Sequence, residues 1–339
     1  MQNILRCIME HIAIKQIKAT EMQGKDIISN YALRKMEIKT KESDGKPFLS
    51  LELGDATGRI DAILWNDADA VYKQLTPGDV VQVKALVGKY KDNIQLRVDN
   101  IRKCEKDEYE PAEFLTASIY SRNELEACIR TEITEIKSPH LSKLLKLFFD
   151  DREFMKEFLQ APAAKLWHHG WVGGLAEHTV SVCRLAKAAI KNYKMLDPEI
   201  LITGCLLHDI GKIREFTVTT FIDYSDEGRL MGHLVLGDQM LLERISKIKD
   251  FPNETQKRLR HIILSHHGEK EKGSPIVPST LEALVVHHCD FMDAHAAAFE
   301  RIINREGNDK KRWSDYVNLI DRYIYLAREP EERNDPKLF

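Results

Sequence analysis

Leu206-Leu207-His208-Asp209-Ile210-Gly211-Lys212 decides how the second half of this chain is read. An apolar run from Ile200 to Leu207 has the length of a buried helix, and it stops abruptly on an imidazole and a carboxylate. Both are metal-type ligands. Lys212 follows within one turn, and Gly211 lets the backbone turn between them. Beyond this stretch lie His178, His233, His266, His267 and Asp290, each in or at the end of a segment with helical periodicity. The steps 178, 208, 233, 266 and 290 are 30, 25, 33 and 24 residues apart. Such gaps exclude a local metal loop and require several helices to converge on one point. Of 13 histidines, 11 lie between His168 and His295. A solvated surface gives no reason for that clustering, whereas a metal site does.

Imidazole with carboxylate suits Mn, Fe, Co, Ni or Zn, a harder set than thiolates. Two divalent cations sharing Asp209 would lower the pKa of a water between them and neutralise charge on a phosphoryl oxygen. Lys212 would add positive charge at the phosphate. A phosphodiester or phosphomonoester is the natural substrate. The competing reading is ordinary core packing, since a lone buried histidine is more often a hydrogen-bonded core residue. Six ligand-type residues in helical contexts, counting one of His266 and His267, with a lysine three positions after Asp209, favour the metal.

The helical character extends over the whole second part. After Glu105-Lys106-Asp107-Glu108 the hydrophobic period changes from 2 to 3.6. Ser121 with Glu124, and Ser279 with Glu282, read as capping boxes; Ser138-Pro139 and Asp197-Pro198 read as N-caps followed by proline in the first turn. Strand-like alternation does not return, so this part is expected to be all-α.

Residues 30–101 carry the opposite pattern. Leu49, Leu51 and Leu53 alternate, Gly54 to Gly58 turns, and Arg59 to Trp65 continues as a strand. A short helix is expected over Asp67 to Leu75. Val81, Val83, Ala85 and Val87 then alternate, as do Ile94, Leu96 and Val98 after a turn at Lys91-Asp92-Asn93. Five strands with a helix between the third and fourth suit a small closed barrel of the OB type.

Such barrels bind single strands by stacking bases on exposed aromatics within a basic groove. Phe48, Trp65 and Tyr90 are the candidates, interleaved with Lys46, Arg59, Lys89, Lys91 and Arg97. For Phe48 and Trp65 the heavier reading is barrel core, because a small barrel needs large core residues. Tyr90, at a turn between two lysines, is expected to be exposed.

Bulk properties agree with a two-domain globular chain. It has 339 residues, 43% of them apolar, and a net charge of −3. Residues 1–105 carry net +2 and residues 106–339 net −5, with a basic peak from Lys84 to Lys103. That peak hints at a polyanionic partner. No apolar run reaches the 18 or so residues of a membrane span, and Arg6 and Glu10 interrupt the first segment before a signal core forms. The six cysteines include no Cys-x-x-Cys pair and read as reduced thiols. A cytoplasmic location without membrane attachment is the expectation.

His178, His208-Asp209 and Asp290 resemble the H…HD…D signature of the HD superfamily of metal-dependent phosphohydrolases, over roughly residues 165–300. The resemblance implies one metal on His178, His208, Asp209 and Asp290, and a second on Asp209, His233 and His266, with His267 as second choice. Asp293, one turn after Asp290, reads as support for a ligand. His168-His169-Gly170-Trp171-Val172-Gly173-Gly174-Leu175-Ala176-Glu177-His178, with the barrel upstream, is similar to the YhaM-type 3′→5′ exoribonucleases over nearly the whole chain. That family pairs an N-terminal OB-fold with a C-terminal HD domain and is described as Mn-dependent. No Gly-Tyr-Pro follows the motif, which disfavours the cyclic-dinucleotide branch.

The expected organisation is an OB-fold nucleic-acid-binding domain over 1–106, a helical connector over 107–164, an HD domain over 165–330 and a tail over 331–339. Asp209 and Lys212 are the catalytic candidates. His168 and His169 either contact substrate or pack, while His261, His287 and His288 read as structural. Single-stranded RNA is the expected substrate, with single-stranded DNA and a homo-oligomer compatible with the sequence. Two rival readings remain: a phosphohydrolase of small nucleotides whose barrel serves assembly, and a nucleic-acid binder without catalysis.

Overall fold

The structure is a computed structural model that describes residues 11–19, 22–41, 45–90, 93–105, 107–109, 114–165, 169–307, 311–318 and 320–326. Lys91 and His168 lie outside the described residues. The chain forms two compact units, one of residues 1–117 with 218–222, the other of residues 118–217 with 223–339.

In the first unit β1 (Asp26–Thr40), β2 (Pro47–Asp55), β3 (Gly58–Leu64), β4 (Val80–Tyr90) and β5 (Asn93–Lys103) close a barrel in the order β1-β2-β3-β5-β4. The long β1 serves two neighbours. Its first half pairs with β4 and its second with β2, with a register shift between Leu33 and Lys35. Parallel pairing of β3 with β5, from Asp61↔Gln95 to Leu64↔Val98, completes the closure. The alternating residues point inward: Leu49, Leu51, Leu53, Ile60, Ala62, Leu64, Val81, Val83, Leu96 and Val98 are all buried. A short helix, Ala68–Gln74, lies between β3 and β4 as the sequence predicts.

That helix is α2, and a second short one, α1 (Ile14–Ile17), precedes the barrel. Ile14 and Ile17 are fully buried, and Asp55 anchors the segment by accepting from Ile14 N at 2.7 Å.

In the second unit one apolar core joins eight helices. Helices α3 (Arg122–Glu135), α4 (Pro139–Phe149) and α5 (Arg152–Phe158), from the stretch read as a connector, contribute Ile129, Leu145 and Phe158. The remaining five are α6 (Gly174–Asn192), α7 (Pro198–Leu207), α9 (Asp226–Ile245), α10 (Asn253–Ser265) and α11 (Leu281–Glu306), where α8 is the single turn Lys212–Glu215. Every residue of α7 from Ile200 to Leu207 is buried, as expected of a helix that is apolar all round. Asp197 caps it by accepting from Glu199 N and Ile200 N.

Two expectations change. The second part of the chain is not all-α, because Phe216–Val218 and Ile222–Tyr224 form a two-stranded sheet. Strands of three residues bury one side chain each, Phe216 and Ile222, too few to register as alternation. The Ser121–Glu124 capping box forms, but that of Ser279 and Glu282 does not. Thr280 caps α11 instead. Ser279 N donates to His261 Nε2 at 2.7 Å, and the Glu282 carboxylate accepts from Asp197 N and pairs with Arg258. Among the described residues no helix is long and apolar enough to cross a membrane, and the five described cysteines are buried and free.

Candidate metal centre

His208 and His266 are set by the same local device. Each is the C-cap of its helix, α7 and α10, where the last carbonyls lack intrahelical partners. His208 Nδ1 lies 2.8 Å from Cys205 O, and His266 Nδ1 2.8 Å from Ile263 O. The remaining rings follow suit with other acceptors. His178 Nδ1 meets Asp293 Oδ2 at 2.6 Å, His233 Nδ1 meets Glu215 Oε1 at 3.0 Å, and His267 Nδ1 meets Lys272 O at 3.0 Å. With Nδ1–H directed at an oxygen in all five, Nε2 becomes the lone-pair nitrogen of each ring.

Those nitrogens converge. His178 Nε2 and His208 Nε2 are 3.3 Å apart, and His233 Nε2 and His267 Nε2 are 3.1 Å apart. The first pair, with Asp209 and Asp290, forms one potential ligand group; His233, His266 and His267 form another. Asp209 lies against both. Its Oδ2 is 3.3 Å from His208 Nε2 and 3.5 Å from His178 Nε2, while its Oδ1 is 3.4 Å from His266 Nε2 and 3.6 Å from His233 Nε2. Asp290 Oδ1 is 3.1 Å from His178 Nε2.

This donor set fits divalent cations. Nitrogens this close to one another must share a proton or a cation, and the buried Asp209 Oδ1 has no hydrogen-bond partner among the described residues. In the protein alone, burial lowers the His178 pKa, but Asp290 and Asp293 outweigh it and push it up to about 10. Burial, reinforced by His266 and His233, pulls His267 down to about 3. Desolvation opposes the Asp209 charge, yet Lys212 and His208 hold its carboxyl well below the usual range.

The residues behind these candidate ligands are as specifically placed. Asp293 also faces His169 Nε2 at 3.0 Å and accepts from Ser181 Oγ. His169 is buried, and its ring lies against those of Trp171 and His178. Lys212 is buried as well, and its Nζ donates to Asp209 Oδ2 at 2.6 Å; its charge faces the carboxylate directly. Gly211 corrects a local expectation. Its backbone is ordinary right-handed helix, φ −63° and ψ −21°. A side chain is excluded instead by close approach, since a Cβ would stand 2.0 Å from His233 O.

Sequence reasoning missed Glu215 and Gly232. Gly232, φ 71°, kinks α9 one residue before His233. The kinked residue His233 then meets Glu215 twice, through its ring and through its backbone N at 3.2 Å. A glycine inside a helical run was the available signal. His287 places Nδ1 2.7 Å from His266 O, and His261 Nε2 accepts from Ser279 N.

The barrel separates its aromatic candidates. Phe48 and Trp65 are not core: Trp65 is 41% exposed, and its ring packs on Phe48 with centroids 4.8 Å apart. Leu49 pairs with Leu64 and both face inward, so their neighbours face out. Lys41 Nζ lies 5.5 Å from the Trp65 ring centre. Tyr90 is exposed, at the opposite end of the β3–β5 ladder from Trp65. Lys89 and Arg97 are exposed, and Arg59 pairs with Glu52 at 3.0 Å.

Comparison with known proteins agrees with this division. The HD domain family matches residues 175–312, and a family described as OB-fold nucleic acid binding domain matches residues 35–103. The class is therefore an HD-domain protein carrying an OB-fold. The 3′-5′ exoribonuclease YhaM of Bacillus subtilis (strain 168) is 35% identical over 282 residues, covering 82% of this chain and 88% of its own. The chain belongs to the YhaM family of 3′-5′ exoribonucleases. Two solved structures of a replication protein A domain from Methanococcus maripaludis, in one case specified as the second OB-fold domain, are 26% and 28% identical. They cover 29% of this chain and 97% and 98% of their own, with TM-scores of 0.23 and 0.24.

Proposed function

We propose that this protein is a metal-dependent exoribonuclease that shortens single-stranded RNA from the 3′ end, with the barrel capturing the strand and the helical unit hydrolysing it. The observation that carries the reading is the convergence of five Nε2 atoms on the two sides of Asp209. His178, His208, Asp209 and Asp290 would hold one divalent cation. His233, His266 and Asp209 would hold the other, with His267 as a further donor of that group rather than a replacement for His266.

Bound divalent cations supply an activated water and neutralise charge on a phosphoryl oxygen. The chain does the rest. Asp209 presents one oxygen to each half of the site, and Lys212 keeps that carboxylate ionised. Asp293, Glu215 and the three backbone carbonyls fix each imidazole in the tautomer that offers Nε2, a supporting role that metal sites depend on. Imidazole with carboxylate suits Mn, Fe, Co, Ni or Zn, and Mn, which the family resemblance implies, is taken as the working metal. Phe48 and Trp65 offer stacking surfaces beside Lys41, and Tyr90 offers another beside Lys89.

End-labelled RNA and DNA of one sequence, incubated with several divalent cations, test the reading. Progressive shortening of RNA from the 3′ end is expected. Turnover of free nucleotides without shortening of RNA would replace it with a small-nucleotide phosphohydrolase.

A further inference from the structure

Where the HD-domain match ends at residue 312, the described residues 311–318 and 320–326 form a small lobule closed by two antiparallel bridges, Trp313↔Tyr325 and Val317↔Arg322. Aliphatic residues of the lobule and of α11, with Phe299 of α11, build its interior. Ile302, Ile324 and Leu326 are buried there, with Phe299, Ile303, Val317 and Ile320 packed against them. The aromatic residues stay outside. Trp313, Tyr316, Tyr323 and Tyr325 are 56%, 45%, 58% and 48% exposed, four rings within 13 residues of a chain that is 8% aromatic overall.

These rings are organised in pairs. Trp313 and Tyr325 meet edge-on with centroids 5.1 Å apart, and Tyr316 and Tyr323 repeat that geometry at 5.1 Å. Arg312 holds its guanidinium 5.9 Å from the Tyr325 ring centre. The carboxylates nearby are occupied: Asp315 faces Lys311, and Asp321 accepts from the Tyr316 hydroxyl. Among the described residues 311–326 no aliphatic side chain is exposed. Exposed rings beside arginines, without an aliphatic surround, match the chemistry of base stacking and phosphate contact more closely than that of an apolar protein interface.

We propose that this lobule is a second stacking platform for single-stranded RNA, separate from the barrel. The inference rests on the exoribonuclease reading. Ile302, which anchors the lobule, follows Asp290 by 12 residues on α11. That is ~18 Å of helix axis, a span of roughly five stacked bases at ~3.4 Å each. The platform would therefore touch nucleotides several positions upstream of the bond being cut.

Photocrosslinking of the full-length protein to a 20-nucleotide RNA carrying 4-thiouridine, with peptides mapped by mass spectrometry, is the test. Crosslinks to the peptide containing Trp313 to Tyr325 are expected, and crosslinks confined to other regions would overturn the platform. In parallel, Trp313→Ala with Tyr323→Ala should weaken binding of that RNA roughly tenfold, and Trp313→Phe with Tyr323→Phe should restore most of it. A change in oligomeric mass with unchanged affinity would assign the patch to contacts between copies and overturn the proposal. If the unmodified protein neither binds nor shortens RNA, the exoribonuclease reading itself fails. Should the alanine variant not fold, the crosslinking result decides alone.

Discussion

Glu215 holds His233 at two points: its Oε1 accepts from the His233 backbone N at 3.2 Å and lies 3.0 Å from the ring Nδ1. The contact exists because Gly232 breaks α9 just before the histidine. Replacing Glu215 with alanine should therefore weaken the cation held by His233 and His266 more than the one held by His178 and His208. Loss of such a partner costs roughly 10- to 100-fold in metal affinity or activity. A Mn titration of RNA hydrolysis should shift to higher concentration, and an unshifted curve in a folded Glu215→Ala variant would refute Glu215's part.

Gly211→Ala tests the packing that brings α8 against α9. The new Cβ would meet His233 O at 2.0 Å and Gly237 N at 2.6 Å, backbone atoms with little room to move. Overpacking of this kind costs about 1–3 kcal/mol. A lowered melting temperature is expected together with reduced activity, since the displaced residue is one of the proposed ligands. Unchanged melting and activity would show that the two segments separate easily.

The barrel's outer face should contribute affinity without contributing chemistry. Base–aromatic stacking is worth about 1–3 kcal/mol per base, so Phe48→Ala with Trp65→Ala should weaken single-strand binding by tenfold or more. Trp65→Phe should lose much less. Binding by fluorescence anisotropy at several salt concentrations measures this, and affinity that ignores both rings would move the interface elsewhere on the barrel.

Asp55 should give the barrel an acid limit. Burial would raise its carboxyl, but hydrogen bonds from His11, Ile14 N and Thr57 outweigh burial and hold it below the ordinary value. A carboxyl depressed on folding stabilises fully above its unfolded value, ~3.9, and loses that contribution as pH falls through the folded value. Melting temperature of the wild-type chain should fall as the pH drops below about 4. Asp55→Asn should be less stable at pH 7, by about 2–4 kcal/mol, and show a shallower acid slope. Parallel slopes would remove Asp55 from the account.

How far the sequence could be read depended on whether position followed from the residue's own type. His208-Asp209 was legible because an apolar helix ending on two ligands has few other uses, and the spacing of the remaining histidines forced helices together. The barrel was legible from alternation of period 2. Phe48 and Trp65 were misjudged by size: with Leu49 and Leu64 inward, strand parity places both neighbours outside whatever their volume. Glu215 was beyond reach, since its role depends on a helix kink and a strand pair of three residues each. So was the 311–326 lobule, held by isolated bridges that leave no periodic trace.

The most direct measurement is the metal content of the purified protein, reconstituted with Mn, against that of Asp209→Asn, by inductively coupled plasma mass spectrometry. Two cations per chain are expected for the wild type, with both lost or severely weakened in the variant, because one carboxylate serves both halves of the site. One cation in the wild type, or two retained without the Asp209 carboxylate, would contradict the shared centre.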